Sequence, residues 1–287
     1  MSSIADTLDA AVARLARAGV DPARFEAELL LARLMGTDRG GLFLRRADAL
    51  DSEVAERFAG WLVRREAREP LQHITGRQEF HGLEFLCDRR ALVPRPETEG
   101  LCDAAFELVP PGAARVADLG TGSGCIAVTL AVKRPDLRLH ALDRCPAAIE
   151  LARENARRHA VSERIEWVVG EMTSPPSSWS ESMDAVVSNP PYVTEAEWGR
   201  LEPEVRDHDP REALVAGPSG LEAYAALVAP AAALLRPGGA LILELGWGQA
   251  ASVRSIVGAA PFETIEVRPD LRGIPRVLVA RRARGRR

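Results

Sequence analysis

A surplus of basic residues is missing from this chain: 37 Lys and Arg stand against 41 Asp and Glu, a net charge of −4. No global field therefore draws it to nucleic acid. The exception is the tail Arg281-Arg282-Ala283-Arg284-Gly285-Arg286-Arg287, read here as a solvated terminus. Cysteines are few, and Cys87, Cys102, Cys125 and Cys145 form no CxxC pair, which argues against a disulfide scaffold and a zinc site and for a reducing compartment. The histidines, His73, His81, His140, His159 and His208, make no HExxH or comparable spacing, so no metal is expected. No apolar run approaches the roughly 18 residues of a membrane helix. The start, Met1-Ser2-Ser3-Ile4-Ala5-Asp6, has neither a basic n-region nor an apolar h-region. The expectation is a cytoplasmic protein with no membrane association. Internal repeats and low-complexity tracts are absent, and the length suits two domains.

What is present changes character along the chain. Up to about residue 69 the apolar residues recur at helical spacing. Ser3 caps a first helix carrying Ile4, Leu8 and Leu15; Asp21-Pro22 caps a second, with Pro22 at its first position; Asp51 opens a third, which Glu69-Pro70 stops. Nothing in this bundle carries chemistry. Ile74 to Gly76 and Phe80 to Cys87 alternate at period two, predicting a β-hairpin linker. Pro94-Arg95-Pro96-Glu97-Thr98-Glu99 is stiff and charged beside it, with Glu97 or Thr98 starting a helix over 100–108. From residue 113, strands and helices alternate, predicting a mostly parallel sheet covered on both faces and closed by a hairpin near 264–280. The domains expected are 1–72, a helical bundle; 73–93, the hairpin linker; and 94–287, the α/β domain.

Two stretches bear chemistry. Gly120-Thr121-Gly122-Ser123-Gly124 lies where the first strand of the α/β domain meets its helix, where glycines let backbone approach a ligand beside the positive end of the helix dipole. Asp143, at the tip of the next strand, has the position to accept two ribose hydroxyls. The loop also satisfies a dinucleotide pattern, so a dehydrogenase stays open at this point. Asp118, two residues before Gly120, is placed to receive the ammonium of a methionine moiety, which favours S-adenosylmethionine. The second stretch, Asn189-Pro190-Pro191-Tyr192, ends the strand Met183 to Val187. Prolines donate no N–H, so the strand must stop there. The Asn189 side-chain oxygen and Pro190 carbonyl can both accept from one planar –NH2, which the Tyr192 ring can cover.

With these residues the chain resembles the class I S-adenosylmethionine-dependent methyltransferases, and within them the HemK/PrmC protein-glutamine methyltransferases. The likeness rests on Pro70 to Gly76, Glu79 to Leu83, Pro94 to Glu99, Asp118 to Gly124, Asn189 to Tyr192, Asp209 to Leu214 and Asp270 to Gly273 with Arg276-Val277. It implies a Rossmann-like sheet preceded by the bundle, with S-adenosylmethionine as cofactor. It also implies methylation of the side-chain amide nitrogen of the glutamine in the Gly-Gly-Gln motif of class one peptide-chain release factors. The residues expected at the cofactor are Asp118, Gly120, Thr121, Gly122, Ser123, Gly124, Asp143, Glu171, Met172 and Asn189. Those at the substrate are Asn189, Pro190, Pro191, Tyr192, Arg95, Glu97 and Phe80, with Asn189, Pro190 and Tyr192 catalytic. A monomer acting without direct nucleic-acid contact is expected, the bundle recognising the protein substrate. The clamp is shared with adenine-N6 and guanine-N2 nucleic-acid methyltransferases, and a ribosomal-protein glutamine methyltransferase has a similar layout; these are the alternatives.

Overall fold

The computed structural model describes residues 2–284. Arg281, Arg282 and Ala283-Arg284 of the basic tail fall within it, and its last three residues lie outside the described residues. The chain divides into two compact units, Met1–Arg77 with Glu202–His208, and Gln78–Leu201 with Asp209–Arg287.

The first unit is helical: α1 (Ile4–Arg17), α2 (Ala23–Leu34), α3 (Arg39–Leu44), α4 (Ser52–Glu66) and α5 (Leu71–Thr75). Ser3 and Asp6 form a reciprocal capping box on α1, and Asp51 caps α4 through the Glu53 and Val54 amides. Ile4, Leu15, Leu30, Leu31 and Phe58 are fully buried in its core. Pro22 departs from expectation: at φ −86°, ψ 111° it is extended and precedes α2. Ile74-Thr75 also departs, forming the end of α5 instead of a strand, because Ile74 packs into the bundle core while Gly76, at φ 72°, ends the helix left-handed. Arg65, almost wholly buried, donates to Glu26 at 2.5 Å and to Glu204 at 2.7 Å, which ties the 202–208 segment into this unit.

The second unit opens with a hairpin, β1 (Arg77–Phe80) and β2 (Leu83–Leu86), turned by His81 and Gly82, both at positive φ as a two-residue turn needs. There follow α6 (Glu99–Leu108), β3 (Arg115–Leu119), α7 (Cys125–Lys133), β4 (Arg138–Asp143), α8 (Pro146–Arg158), β5 (Ile165–Val169) and β6 (Met183–Ser188). Short pieces come next, β7 (Val193–Thr194), α9 (Glu195–Trp198), α10 (Pro203–Arg206, in the first unit) and β8 (Val215–Gly217). Last are α11 (Glu222–Leu234), β9 (Leu235–Glu244), α12 (Ala250–Gly258), β10 (Phe262–Pro269) and β11 (Pro275–Arg282). The sheet order is β10-β11-β9-β6-β3-β4-β5. Its β9 to β5 pairs are parallel, while β11 against β9 and β10 against β11 are antiparallel. The central strands read as near-continuous apolar runs because helices cover both faces. Strand order reverses about β3, so the crevice beyond the carboxyl ends of β3, β4, β6 and β9 is where a ligand belongs. Among the described residues no helix is long and apolar enough to cross a membrane.

Candidate active site

A cavity of about 330 Å³ opens at that crevice. Its first wall is the glycine loop. Gly120, Gly122 and Gly124 have φ of 78°, 53° and 79°, the left-handed region that a side chain resists. At Gly124 a Cβ would also stand 2.9 Å from Ala152 Cβ and 3.1 Å from Ala152 Cα, so this glycine lets α7 close onto α8. Gly120, Thr121, Gly122 and Ser123 line the cavity.

Asp118 sits beneath this loop and does not line the cavity itself. It is fully buried, and its Oδ2 accepts from Thr121 Oγ1 at 2.6 Å. Its Oδ1 has no hydrogen-bond partner of normal geometry among the described residues, although the Ala127 amide, like Thr121, acts on the carboxylate as a hydrogen-bond donor and lowers its pKa. Burial pushes the carboxyl up to about 7, against the pull of Thr121. Such a group is short of a cationic or donating partner.

Asp143, at the tip of β4, lines the cavity. Its Oδ2 accepts from Gly122 N at 2.8 Å and its Oδ1 from Cys145 N at 2.9 Å, which fixes the carboxylate and leaves each oxygen lone pairs for ligand donors. Burial raises its pKa while those two amides lower it. Beyond β5, Glu171 and Met172 line the same cavity; Met172 Cε lies 3.5 Å from where a Gly120 Cβ would be, and Arg144 pairs with Glu171 at 3.6 Å.

The opposite wall is the Asn-Pro-Pro-Tyr turn. Ser188 anchors the end of β6 by donating to Leu119 O at 2.6 Å, so Asn189 projects beyond the sheet. Asn189 and Pro191 line the cavity, with Arg95 and Thr98; Pro190 is buried. Asn189 Nδ2 donates to Thr98 Oγ1 at 3.1 Å, which leaves Oδ1 as the free end of the carboxamide. Thr98 Oγ1 in turn donates to Glu244 Oε2 at 2.6 Å, and Tyr192 Oη reaches Glu244 Oε1 at 3.3 Å. Arg95 pairs with the buried Asp209 at 2.6 Å. Glu97 is half-buried near Glu244 and outside the cavity lining. Phe80 is a correction: it is fully buried, edge-to-face on Phe85 at 6.0 Å, so it supports the hairpin and presents nothing to a substrate.

Sequence reasoning missed Glu244 and gave Asp209 no role beyond its place in the family likeness. Each is a buried carboxylate, and the available signal was a lone acid closing the apolar run Ala240 to Leu243 in the first case. Among the described residues no group of three or more His, Cys, Asp or Glu side chains is placed to hold a metal ion.

The switch-point crevice, the glycine cradle and a buried acid beneath it together fit S-adenosylmethionine, and the chain is a class I S-adenosylmethionine-dependent methyltransferase. A methyltransferase from Pyrococcus furiosus shares the fold at a TM-score of 0.51 and 17% identity, over 71% of this chain and 90% of that one. Residues 6–76 match the PrmC N-terminal domain, and residues 105–201 the methyltransferase small domain. The chain is 43% identical to the release factor glutamine methyltransferase of Nitratidesulfovibrio vulgaris, over 94% of this chain and 92% of that protein. It is 45% identical to that of Cereibacter sphaeroides, over 96% and 98%. It belongs to the release factor glutamine methyltransferase family.

Proposed function

We propose that this protein methylates the side-chain amide nitrogen of the glutamine in the Gly-Gly-Gln motif of class one release factors, using S-adenosylmethionine. The observation that carries the reading is the orientation of Asn189. Its nitrogen is committed to Thr98, so its oxygen is available to accept one hydrogen of a substrate carboxamide, and the Pro190 carbonyl would accept the other.

The loop Gly120 to Gly124, Asp118 beneath it, Asp143 and Glu171-Met172 would hold the cofactor. When bound, S-adenosylmethionine supplies a sulfonium-activated methyl group. An amide nitrogen is a poor nucleophile because its lone pair is delocalised. Asn189 and Pro190 act by position: as the nitrogen becomes positive, two fixed acceptors hold it more tightly than they hold the neutral amide. Correct placement is worth roughly 7–11 kcal/mol of barrier. Tyr192, fixed through its hydroxyl to Glu244, would pack on the amide plane. The surplus proton leaves once the nitrogen is charged and acidic, so no general base is needed.

Residues 1–72 serve recognition of the release factor, 73–93 link, and 94–287 catalyse; the protein works as a cytoplasmic monomer. The test is transfer of labelled methyl from S-adenosylmethionine to purified release factor, with the motif glutamine replaced as control and DNA and ribosomal RNA in parallel. Label on the factor that vanishes with the glutamine is the expected result; label on nucleic acid alone would overturn the substrate.

A further inference from the structure

Glu244 enters the chemistry above only through the Tyr192 hydroxyl, yet it is 1% exposed and both of its carboxylate oxygens are met by residues of the substrate wall. We infer that Glu244, acting through the Thr98 hydroxyl, is the positioning residue that decides which end of the Asn189 carboxamide faces the substrate. The inference deepens the functional reading and rests on it.

The logic is a count of hydrogens. A threonine hydroxyl has one hydrogen and two lone pairs. That hydrogen goes to Glu244 Oε2 at 2.6 Å, a charge-assisted length. Thr98 Oγ1 can then only accept from Asn189, and it accepts from Nδ2 at 3.1 Å. The Asn189 oxygen is thereby turned outward, where a substrate –NH2 needs an acceptor. If the Glu244 oxygen ceases to be an acceptor, the Thr98 hydrogen is released toward Asn189. The carboxamide then gains by flipping, and presents –NH2 against –NH2. Tyr192 Oη on the second oxygen ties the ring to the same carboxylate, so one buried acid orders both acceptor and ring.

The ionised state is the one that works. Burial pushes the Glu244 carboxyl up to about 7; Thr98, Tyr192 and Arg276 pull it down, and Glu97 pushes it up. Tyr224 faces the same site, donating to the Glu244 backbone oxygen at 2.9 Å. A carboxyl with a raised pKa takes up its proton as pH falls through about 7, and the relay is lost there.

The full-length protein tests this. Single-turnover methyl transfer to release factor is followed against pH at saturating cofactor and substrate, for wild type, Glu244→Gln, Thr98→Val and Thr98→Ser. Cofactor affinity by calorimetry and thermal melting serve as controls. The wild-type rate should rise with pH to a plateau. Glu244→Gln, which keeps one acceptor oxygen for Thr98 and cannot titrate, should lose the pH dependence, with cofactor affinity within about threefold. Thr98→Val should be at least about tenfold slower, while Thr98→Ser, which keeps the hydroxyl, recovers most of the rate. A Glu244→Gln enzyme with the wild-type pH profile, or Thr98→Val as fast as Thr98→Ser, overturns the inference. A second readout needs no substrate: the Asn189 side-chain amide resonances should titrate in wild type and stand still in Glu244→Gln. If they are pH-independent in wild type, the relay is wrong. If they titrate but release factor is never methylated, the relay stands and the functional reading falls.

Discussion

Asp118 and Glu244 lie behind two different walls of one cavity, beneath Thr121 and Thr98 that line it, and are near twins in environment. Each closes or nearly closes a central strand, each is essentially unexposed, and burial pushes each up to about 7. Each is held by a threonine hydroxyl at 2.6 Å, Thr121 in one case and Thr98 in the other. They differ in the second oxygen. Glu244 Oε1 has Tyr192, whereas Asp118 Oδ1 has no hydrogen bond of normal geometry among the described residues. A buried carboxylate with both oxygens engaged is scaffold for its neighbours; one left short is a seat for something the chain does not contain. The acid behind the cofactor wall is therefore left short, while the acid behind the substrate wall is engaged at both oxygens and leaves the free acceptor to Asn189 Oδ1.

The largest effect that separates the two walls is expected from Asn189→Ala. Removing the outward acceptor should slow methyl transfer by about a thousandfold while cofactor affinity changes less than about threefold. Calorimetry with single-turnover kinetics measures both, and near-normal turnover would end the clamp argument. Asp118→Ala should do the reverse, weakening cofactor binding about thirtyfold through loss of a charge-assisted contact. Asp143→Ala should cost about tenfold, because its carboxylate also holds the Gly122 and Cys145 amides and so shapes the loop. Unchanged binding in either variant would remove that residue from the cofactor wall.

The cofactor wall was the more legible one. Gly120 to Gly124 and Asp143 advertise themselves because a ligand that is absent from the chain must be met by residue types with few other reasons to cluster. Asn189 to Tyr192 was legible for the same reason, since two prolines after an apolar strand have no structural use in a ladder. The substrate wall hid its supports. Glu244 reads as the end of a strand and Thr98 as a helix start; only the fold brings them within 2.6 Å across 146 positions. Arg65 with Glu26 and Glu204 was hidden likewise, because ion pairs far apart in sequence leave no local pattern. Phe80, placed at the substrate by the family likeness alone, is fully buried in the hairpin's packing against Phe85. Ile74-Thr75 went from strand to helix because burial in the bundle outweighed a local period of two. The 193–217 stretch, built of elements two to four residues long, offers no window in which any period could be read.

The smallest effect is also the one that distinguishes the twins most directly. Without cofactor the Asp118 carboxyl is raised to about 7, so below that pH the folded protein holds a proton there that the unfolded chain, near its ordinary value of 3.8, would release. Stability from this group is therefore full below its ordinary value and is lost as pH rises toward about 7. An ammonium seated on Oδ1 reverses the shift, and the proton must leave when the cofactor binds. Affinity should consequently rise as pH rises toward about 7. Calorimetry in two buffers of different ionisation heat should show proton release at acid pH that shrinks as pH rises. Glu244, already satisfied by Thr98 and Tyr192, meets no new charge, so Glu244→Gln should leave the released proton in place and Asp118→Asn should abolish it. Proton release that survives in Asp118→Asn would show that the two acids are not divided into seat and scaffold.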